Sequence, residues 1–309
     1  MNYPKILLFL ALSIGLSWLG LQIADFFTDP DSMVGPIINL LAYSWGPGLA
    51  AILIQKYVFR GSLAKFGWNR KRYSFNWILA TVFLPIGVVL STTAMVFILG
   101  NVLNVPGFGE VVMGANRVQE EILSMIAPYS GDLFFHIYMP SEMWVLFFVI
   151  LIGGVFLGAT FNLFFNIGEE LGFRGFLLLE TQKLGFLGGN LIVGAAYGLW
   201  FLPYLWFMTP GASLDFDMII TTMSVVGYAV SIAFPMAYFA LKTRSIYASA
   251  TFTGIMNNIS ILSLFFVIGG DPMVVGAQGL AGMFVFLAIT YLIIRYDSKF
   301  VDTYPDLFY

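Results

Sequence analysis

The sequence predicts an all-α polytopic membrane protein, a single helical bundle of about eight transmembrane helices. The first reason is composition: 59% of the 309 residues are apolar and only 10% are charged, whereas a soluble domain carries about 25% charged residues. The second is the mean hydropathy of +0.88. The third is that the apolar residues form continuous runs of roughly 20, the length of a membrane-crossing helix. These observations exclude an ordinary soluble enzyme and a disordered chain.

The apolar runs can be placed in order along the chain. The first is too long for a simple signal peptide and lacks the small-residue cleavage site of one. The second contains Trp45-Gly46-Pro47-Gly48, which predicts either a plain kink or a helix break that lines a cavity. The predicted spans are Ile6–Ala24, Ile37–Val58, Trp77–Val102, Met143–Asn166, Phe186–Phe207, Met218–Leu241, Ile246–Ile268 and Val275–Ile294.

The charged residues predict how the chain is oriented. If the gaps between spans alternate between inside and outside, starting inside, every basic residue except Arg117 falls inside. Positive residues favour the cytoplasm, so we expect a plasma-membrane protein with its N- and C-termini cytoplasmic. The longest outside gap, from Asn104 to Glu142, predicts an amphipathic helix that caps the bundle. Residues 1–309 are expected to form a single integral-membrane domain.

Few residues of the types that carry redox, metal or nucleic-acid chemistry are present. The chain has no cysteine, which excludes disulfides and thiolate catalysis, and its only histidine is His136. A net charge of −3 without a basic patch argues against nucleic acid. We therefore expect no metal and no other cofactor, and the lipid bilayer is the partner that the composition requires.

One segment places charges in an apolar stretch, at the predicted cytoplasmic end of the fourth span. Residues 168–176 read Gly-Glu-Glu-Leu-Gly-Phe-Arg-Gly-Phe, and ionisable residues at membrane depth suggest a functional site. On a helix Glu170 and Arg174 face each other and would form a nearly neutral pair. Glu169 lies about 100° around the helix, without a partner in this segment, and could act as a general base. Alternatively, both acids merely end a helix among the lipid headgroups.

Three motifs resemble those of the CAAX-protease and bacteriocin-processing family of intramembrane proteases. Residues 168–178 are similar to its first motif, Glu-Glu-x-x-x-Arg. Residues 197–203 are similar to its second, an aromatic residue, three others and a His followed by an apolar residue and Pro. Residues 253–257 are similar to its third, His-x-x-x-Asn. The motifs occur in family order, and the resemblance covers residues 143–268.

The resemblance implies peptide hydrolysis beside or within the membrane. In the family pattern, Glu169 would activate water and the second-motif His would help to hold it. The third-motif His and Asn257 would stabilise the oxyanion of the tetrahedral intermediate. Glu170 and Arg174 would hold the motif helix in place as a neutral pair.

This chain departs from the pattern at both histidines. Phe201 stands at the second-motif position and Thr253 at the third-motif position. Phenylalanine cannot orient water, and a threonine hydroxyl can donate a hydrogen bond but carries no charge near pH 7. His136 is expected on the opposite side of the bilayer from Glu169, so it cannot substitute. Glu169, Glu170 and Asn257 offer only oxygen ligands, which disfavours a zinc site.

Two functions of different class remain open. The first is a pseudoprotease that grips a peptide or a membrane-protein partner in the former active-site cavity, as in toxin immunity or in scaffolding an envelope enzyme. The second is a working peptidase with a degenerate site that uses Glu169, Thr253 and Asn257. A transporter is a third possibility, for which the few buried charges give little support.

Overall fold

The computed structural model describes residues 2–28, 34–68, 74–112, 143–208 and 216–306. Within these ranges the chain is an all-α membrane bundle, as predicted, and six stretches are long and apolar enough to cross a bilayer. The α-helices are α1 (Tyr3–Phe27), α2 (Gly35–Ser44), α3 (Gly46–Leu53), α4 (Phe75–Val96), α5 (Met143–Ala159), α6 (Phe161–Glu170), α7 (Leu178–Thr181), α8 (Gly185–Met208), α9 (Phe216–Thr243), α10 (Ile246–Ile259), α11 (Pro272–Val275), α12 (Leu280–Tyr296) and α13 (Ser298–Asp302).

Short segments of other geometry connect these helices. A short two-stranded antiparallel sheet pairs β1 (Glu110–Val111) with β2 (Val267–Ile268). Wide π-helical turns follow α3, α4 and α6, at Ile54–Val58, Phe97–Val102 and Leu171–Leu177. Tighter 3₁₀ turns occupy Leu63–Phe66, Gln182–Leu184, Ser260–Ser263 and Tyr304–Asp306.

The predicted fourth span, Met143–Asn166, is wrong at its end. Helix α5 stops at Ala159, and Thr160 leaves helical geometry with φ −119° and ψ −78° before α6 begins. The charged motif therefore lies inside a second helix, which continues from α6 through the π turn into α7. A local hydropathy pattern cannot detect this break, because both sides of Thr160 are apolar.

Two other predicted boundaries shift. The seventh span was expected to reach Ile268, but α10 ends at Ile259 because the chain turns to pair β2 with β1. The eighth was expected to begin at Val275, but α12 begins at Leu280, after a glycine-containing turn. The predicted outer helix and Arg117 fall in residues 113–142, outside the described residues.

Helix α10 is the centre of the core. Most of its residues are buried, and it packs against α4, α5, α6 and α9. Glycine allows the closest of these approaches: a Cβ added at Gly158 of α5 would lie 2.6 Å from the Gly254 carbonyl oxygen of α10. Such backbone contact between helices is typical of membrane bundles. It places α10 directly against α5, and α10 also packs against α6, where the charged motif begins.

A hydrogen-bonded network joins α1, α2 and α8 on the other side of that motif. The Trp200 indole Nε1 donates to Ser17 Oγ at 2.8 Å, and Ser17 Oγ donates to the Tyr43 carbonyl oxygen at 2.8 Å. The Tyr43 hydroxyl donates back to the Trp200 carbonyl oxygen. All three side chains are buried. These hydrogen bonds stabilise the core, because a buried polar group without a hydrogen-bond partner is destabilising.

The Asp297 carboxylate, just after α12, is expected to make stability depend on pH. Burial raises its pKa, but hydrogen bonds from Lys242 at 2.5 Å and Tyr238 at 2.9 Å outweigh burial, and the pKa is lowered overall. A carboxyl group with a lowered folded-state pKa stabilises the fold above its unfolded pKa. That contribution is lost as the pH falls through the folded-state pKa.

We therefore expect Asp297→Asn to lower the free energy of unfolding near neutral pH by about 0.5–1 kcal/mol, a modest value because the Lys242 pair is partly exposed. The difference from the wild type should shrink as the pH falls to about 3, below the ordinary aspartate pKa. Unfolding in detergent across this range measures it. Asp302→Asn, at an exposed position on α13, is the control. A difference that stays constant with pH would contradict the assignment.

Candidate functional site

The motif helix is held by close backbone packing against the break between α2 and α3. A Cβ added at Gly168 would lie 2.8 Å from the Ser44 carbonyl oxygen, and one at Gly48 would lie 2.8 Å from the Gly168 carbonyl oxygen. A Cβ at Gly172 would approach Pro47 Cβ to 2.5 Å. The Trp45–Gly48 break thus makes room for the motif helix, and these glycines serve packing.

Glu170 and Arg174 form the ion pair that their spacing predicted. Arg174 Nη1 donates to Glu170 Oε1 at 3.1 Å, and both side chains are 0% exposed. Arg174 Nη2 lies 3.0 Å from Met236 Sδ of α9, and its Cζ lies 4.9 Å from the centre of the Tyr197 ring. The alternative that both acids end a helix among lipid headgroups is therefore wrong, since the pair is in the protein interior.

Glu169 is also buried, at 5% exposure, but it faces a different way. Its Oε2 accepts a hydrogen bond from the Tyr197 hydroxyl of α8 at 2.7 Å. The expectation that Glu169 lacks a partner holds only for its own segment, because Tyr197 comes from another helix. A tyrosine donor stabilises the carboxylate without supplying a neutralising charge.

A cavity of about 540 Å³ opens beside Glu169. Phe201 and Asn257 share its wall, so three of the six predicted site residues meet there. Its described lining combines hydroxyl and amide groups with aromatic rings. The other lining residues are Leu40, Ser44, Asn162, Phe165, Asn166, Tyr197, Gly198, Tyr204, Thr221, Ser224, Val225, Tyr228, Ala229, Pro272, Met273 and Gln278.

Thr253 is placed differently from Asn257, although both lie on α10. It is only 3% exposed and is not among the described residues that line the cavity. Its hydroxyl donates to the Ser249 carbonyl oxygen at 2.9 Å and lies 3.7 Å from Met236 Sδ. Thr253 thus borders the Arg174 cluster rather than the space beside Glu169.

Residues 155–259 match the model of the type II CAAX prenyl endopeptidase Rce1-like family. This match supports the resemblance of that segment to the CAAX-protease and bacteriocin-processing family. The matched segment is about a third of the chain, lies within the predicted core of 143–268, and contains all three motifs. No curated protein matches the chain at significant similarity.

The structure separates the predicted site residues into two groups. Glu169, Phe201 and Asn257 face the cavity, whereas Glu170, Arg174 and Thr253 lie in the buried cluster around Met236. In the described part of the chain no group of three His, Cys, Asp or Glu side chains could hold a metal ion. His136 lies outside the described residues, so its expected position stays a prediction.

Some of the residues that line the cavity were not predicted. Asn162, Phe165, Asn166 and Glu169 recur with helical spacing, so an amphipathic pattern could have revealed one face of α6. Ser44 gave no such signal, because it reaches the cavity only through the packing of α2 against that helix. Tyr197 belongs to the second motif, and its role depends on a contact between α6 and α8 that spacing does not encode.

Proposed function

We propose that the chain is a pseudoprotease that binds a peptide or a segment of a membrane protein in the Glu169 cavity. The observation that carries this proposal is the position of the two replaced histidines. Phe201 lines the cavity with an apolar ring. The Thr253 hydroxyl donates a hydrogen bond to the backbone of α10 and is therefore not free to take over the role of the histidine. Removing a general acid–base group and an oxyanion donor lowers catalysis by about 10²-fold or more each, while the cavity itself remains.

Peptide hydrolysis is the second candidate, favoured by one arrangement. Glu169 and Asn257 face the same cavity, and the Tyr197 hydroxyl is 2.7 Å from Glu169. A carboxylate with a nearby amide and hydroxyl could position water and a carbonyl oxygen. Under this alternative Glu169 is the base, and Tyr197 replaces part of what the second-motif histidine would do.

Cleavage of a pooled library of quenched fluorescent peptides distinguishes the two candidates. We expect the purified wild type in liposomes to show no cleavage above the Glu169→Gln variant. That variant should fold, because a glutamine oxygen can still accept the Tyr197 hydrogen bond. Glu110→Gln, an exposed position on β1, is the matched control. Cleavage by the wild type and by Glu110→Gln that is lost in Glu169→Gln would overturn the pseudoprotease proposal.

Binding is tested separately with photoreactive peptides from the same library. Val225 lines the cavity from α9, so Val225→Trp should fill it and abolish cross-linking. Ile220→Trp changes an exposed position on the same helix and should leave cross-linking unchanged. Cross-linking that is the same in all three proteins would show that peptides do not use the cavity.

We further propose that the bundle lies in the plasma membrane with both termini cytoplasmic. Lys5, Lys65 and Lys183 come from three different predicted inside segments and line one pocket at the same end of the bundle. Convergence of basic residues at one end supports a single cytoplasmic face. Since the chain has no cysteine, Lys65→Cys should react with an impermeant maleimide only after the membrane is opened. Labelling of Lys65→Cys in intact cells would show that the orientation is the opposite of the one proposed.

A further inference from the structure

Glu169 is the one acidic side chain among the described residues that line its cavity. Glu169 and Glu170 are adjacent in sequence, and the guanidinium of Arg174 pairs with Glu170 at 3.1 Å. Among the described residues that line the cavity there is neither lysine nor arginine. A buried carboxylate that has no ion pair of its own is unfavourable. A cation that entered the cavity would therefore be attracted to the Glu169 carboxylate. Its charge would also offset the cost of burying that carboxylate.

Aromatic rings form much of the rest of the wall. Phe201 and Tyr204 lie with ring centres 5.4 Å apart and an interplanar angle of 43°, and Tyr228 and Phe165 line the same space. The face of an aromatic ring attracts a cation, most strongly where water is excluded. Phenylalanine in place of histidine matters here, because a histidine could itself become positively charged and repel a cation.

We propose that the Glu169 cavity recognises an ammonium group, held between the Glu169 carboxylate and the rings of Phe201 and Tyr204. This inference rests on the proposed binding function and specifies its ligand. Phenylalanine in place of the second-motif histidine then favours binding of the ammonium group. An apolar ring lines the wall where the histidine would have helped to hold water. The ammonium could belong to a lysine side chain of a peptide or to a quaternary amine such as a choline headgroup.

Two pairs of isosteric probes test this proposal. Choline is compared with 3,3-dimethylbutan-1-ol, which replaces the charged nitrogen by carbon. An acetylated, amidated pentapeptide with a central lysine between alanines is compared with its norleucine counterpart. Binding to the full-length protein in detergent is followed by the fluorescence change of its tryptophans, since Trp200 lies 6.0 Å from Phe201 between ring centres.

We expect at least one cation to bind about 10-fold or more tighter than its neutral counterpart, in the range of one buried charge pair with ring contacts. Glu169→Gln should remove most of that preference, and Phe201→Leu should reduce it about 3-fold or more. Glu110→Gln should leave it unchanged. Binding of choline without the lysine peptide would identify a headgroup or small amine, and the reverse would identify a peptide.

The inference and the proposed function fail in different ways. Peptides that bind equally with lysine and norleucine, together with no preference for choline over the neutral alcohol, would overturn the ammonium site and leave peptide binding intact. Choline that binds through Glu169 when no peptide binds would support the site and overturn the peptide function. Absence of binding by all four probes would overturn both.

Discussion

Replacing Arg174 with alanine is expected to lower the free energy of unfolding by about 3–5 kcal/mol, the range for removing one partner of a buried ion pair. The reason is that Glu170, at 0% exposure, would lose the guanidinium that now lies 3.1 Å away, and would either stay buried as an unpaired charge or have to take up a proton. The contact with Met236 and the ring contact with Tyr197 would also be lost. Equilibrium unfolding in mixed micelles of mild detergent and dodecyl sulfate measures this change.

A matched substitution separates this effect from the general effect of losing an arginine. Arg295 lies in the last turn of α12 with an exposed side chain, and Arg295→Ala should change the free energy of unfolding by about 0.5 kcal/mol or less. The double variant Glu170→Leu/Arg174→Met should recover most of the stability, because an apolar pair needs no compensating charge. Equal losses in Arg174→Ala and Arg295→Ala would show that the pair contributes little.

The comparison of Glu169 with Glu170 shows what sequence can predict about this site. The Glu170–Arg174 pair follows from spacing along one helix, and the two side chains meet as that spacing predicted. The Tyr197 hydrogen bond to Glu169 joins residues 28 positions apart, and only the packing of α6 against α8 creates it. Partners within one helix are therefore predictable from sequence, and partners between helices are not.

The two replaced histidines illustrate the same limit. In the sequence, Phe201 and Thr253 each remove an imidazole from a motif, and nothing in the sequence tells which of them lines a cavity. In the structure Phe201 lines the cavity, whereas the Thr253 hydroxyl donates to the Ser249 carbonyl oxygen one helical turn earlier. Threonine commonly makes this bond within a helix. Histidine restored at Thr253 would have to displace the packing around Met236, so restoring both motifs is not a simple reversal.

The fold was more predictable than the site for a physical reason. Transmembrane helices satisfy their own backbone hydrogen bonds, so length and apolar composition predict them directly. The errors occur where tertiary contacts end a helix. Thr160 separates α5 from α6 within continuous apolar sequence, and pairing of β2 with β1 shortens the predicted seventh span.

Truncation of Trp200 is expected to have the other large effect, a loss of about 3–5 kcal/mol in the free energy of unfolding. Trp200 is 1% exposed and is among the largest fully buried side chains. Its ring contacts Tyr43, with ring centres 4.8 Å apart, and its Nε1 donates to Ser17 at 2.8 Å. Alanine would leave a cavity where α1, α2 and α8 meet. The same equilibrium unfolding assay measures the loss.

Trp206 offers a matched control, because it lies on α8 as well but is 49% exposed. Trp206→Ala should cost about 0.5 kcal/mol, while Trp200→Phe, which keeps a ring but loses the Ser17 hydrogen bond, should cost about 1–2 kcal/mol. Comparable losses for Trp200→Ala and Trp206→Ala would contradict the central role of Trp200.

The Trp200 variants also link the core to the site. Tyr197 and Phe201 both pack on the Trp200 ring, with ring centres 5.7 and 6.0 Å from it. Trp200→Ala should therefore weaken peptide cross-linking in the cavity by about 10-fold, even at temperatures where the variant remains folded, because a misplaced wall loses contacts made by oriented rings. Trp200→Phe should retain most of the cross-linking. A folded Trp200→Ala protein that cross-links as well as the wild type would show that Trp200 is not needed to position the rings of the cavity wall.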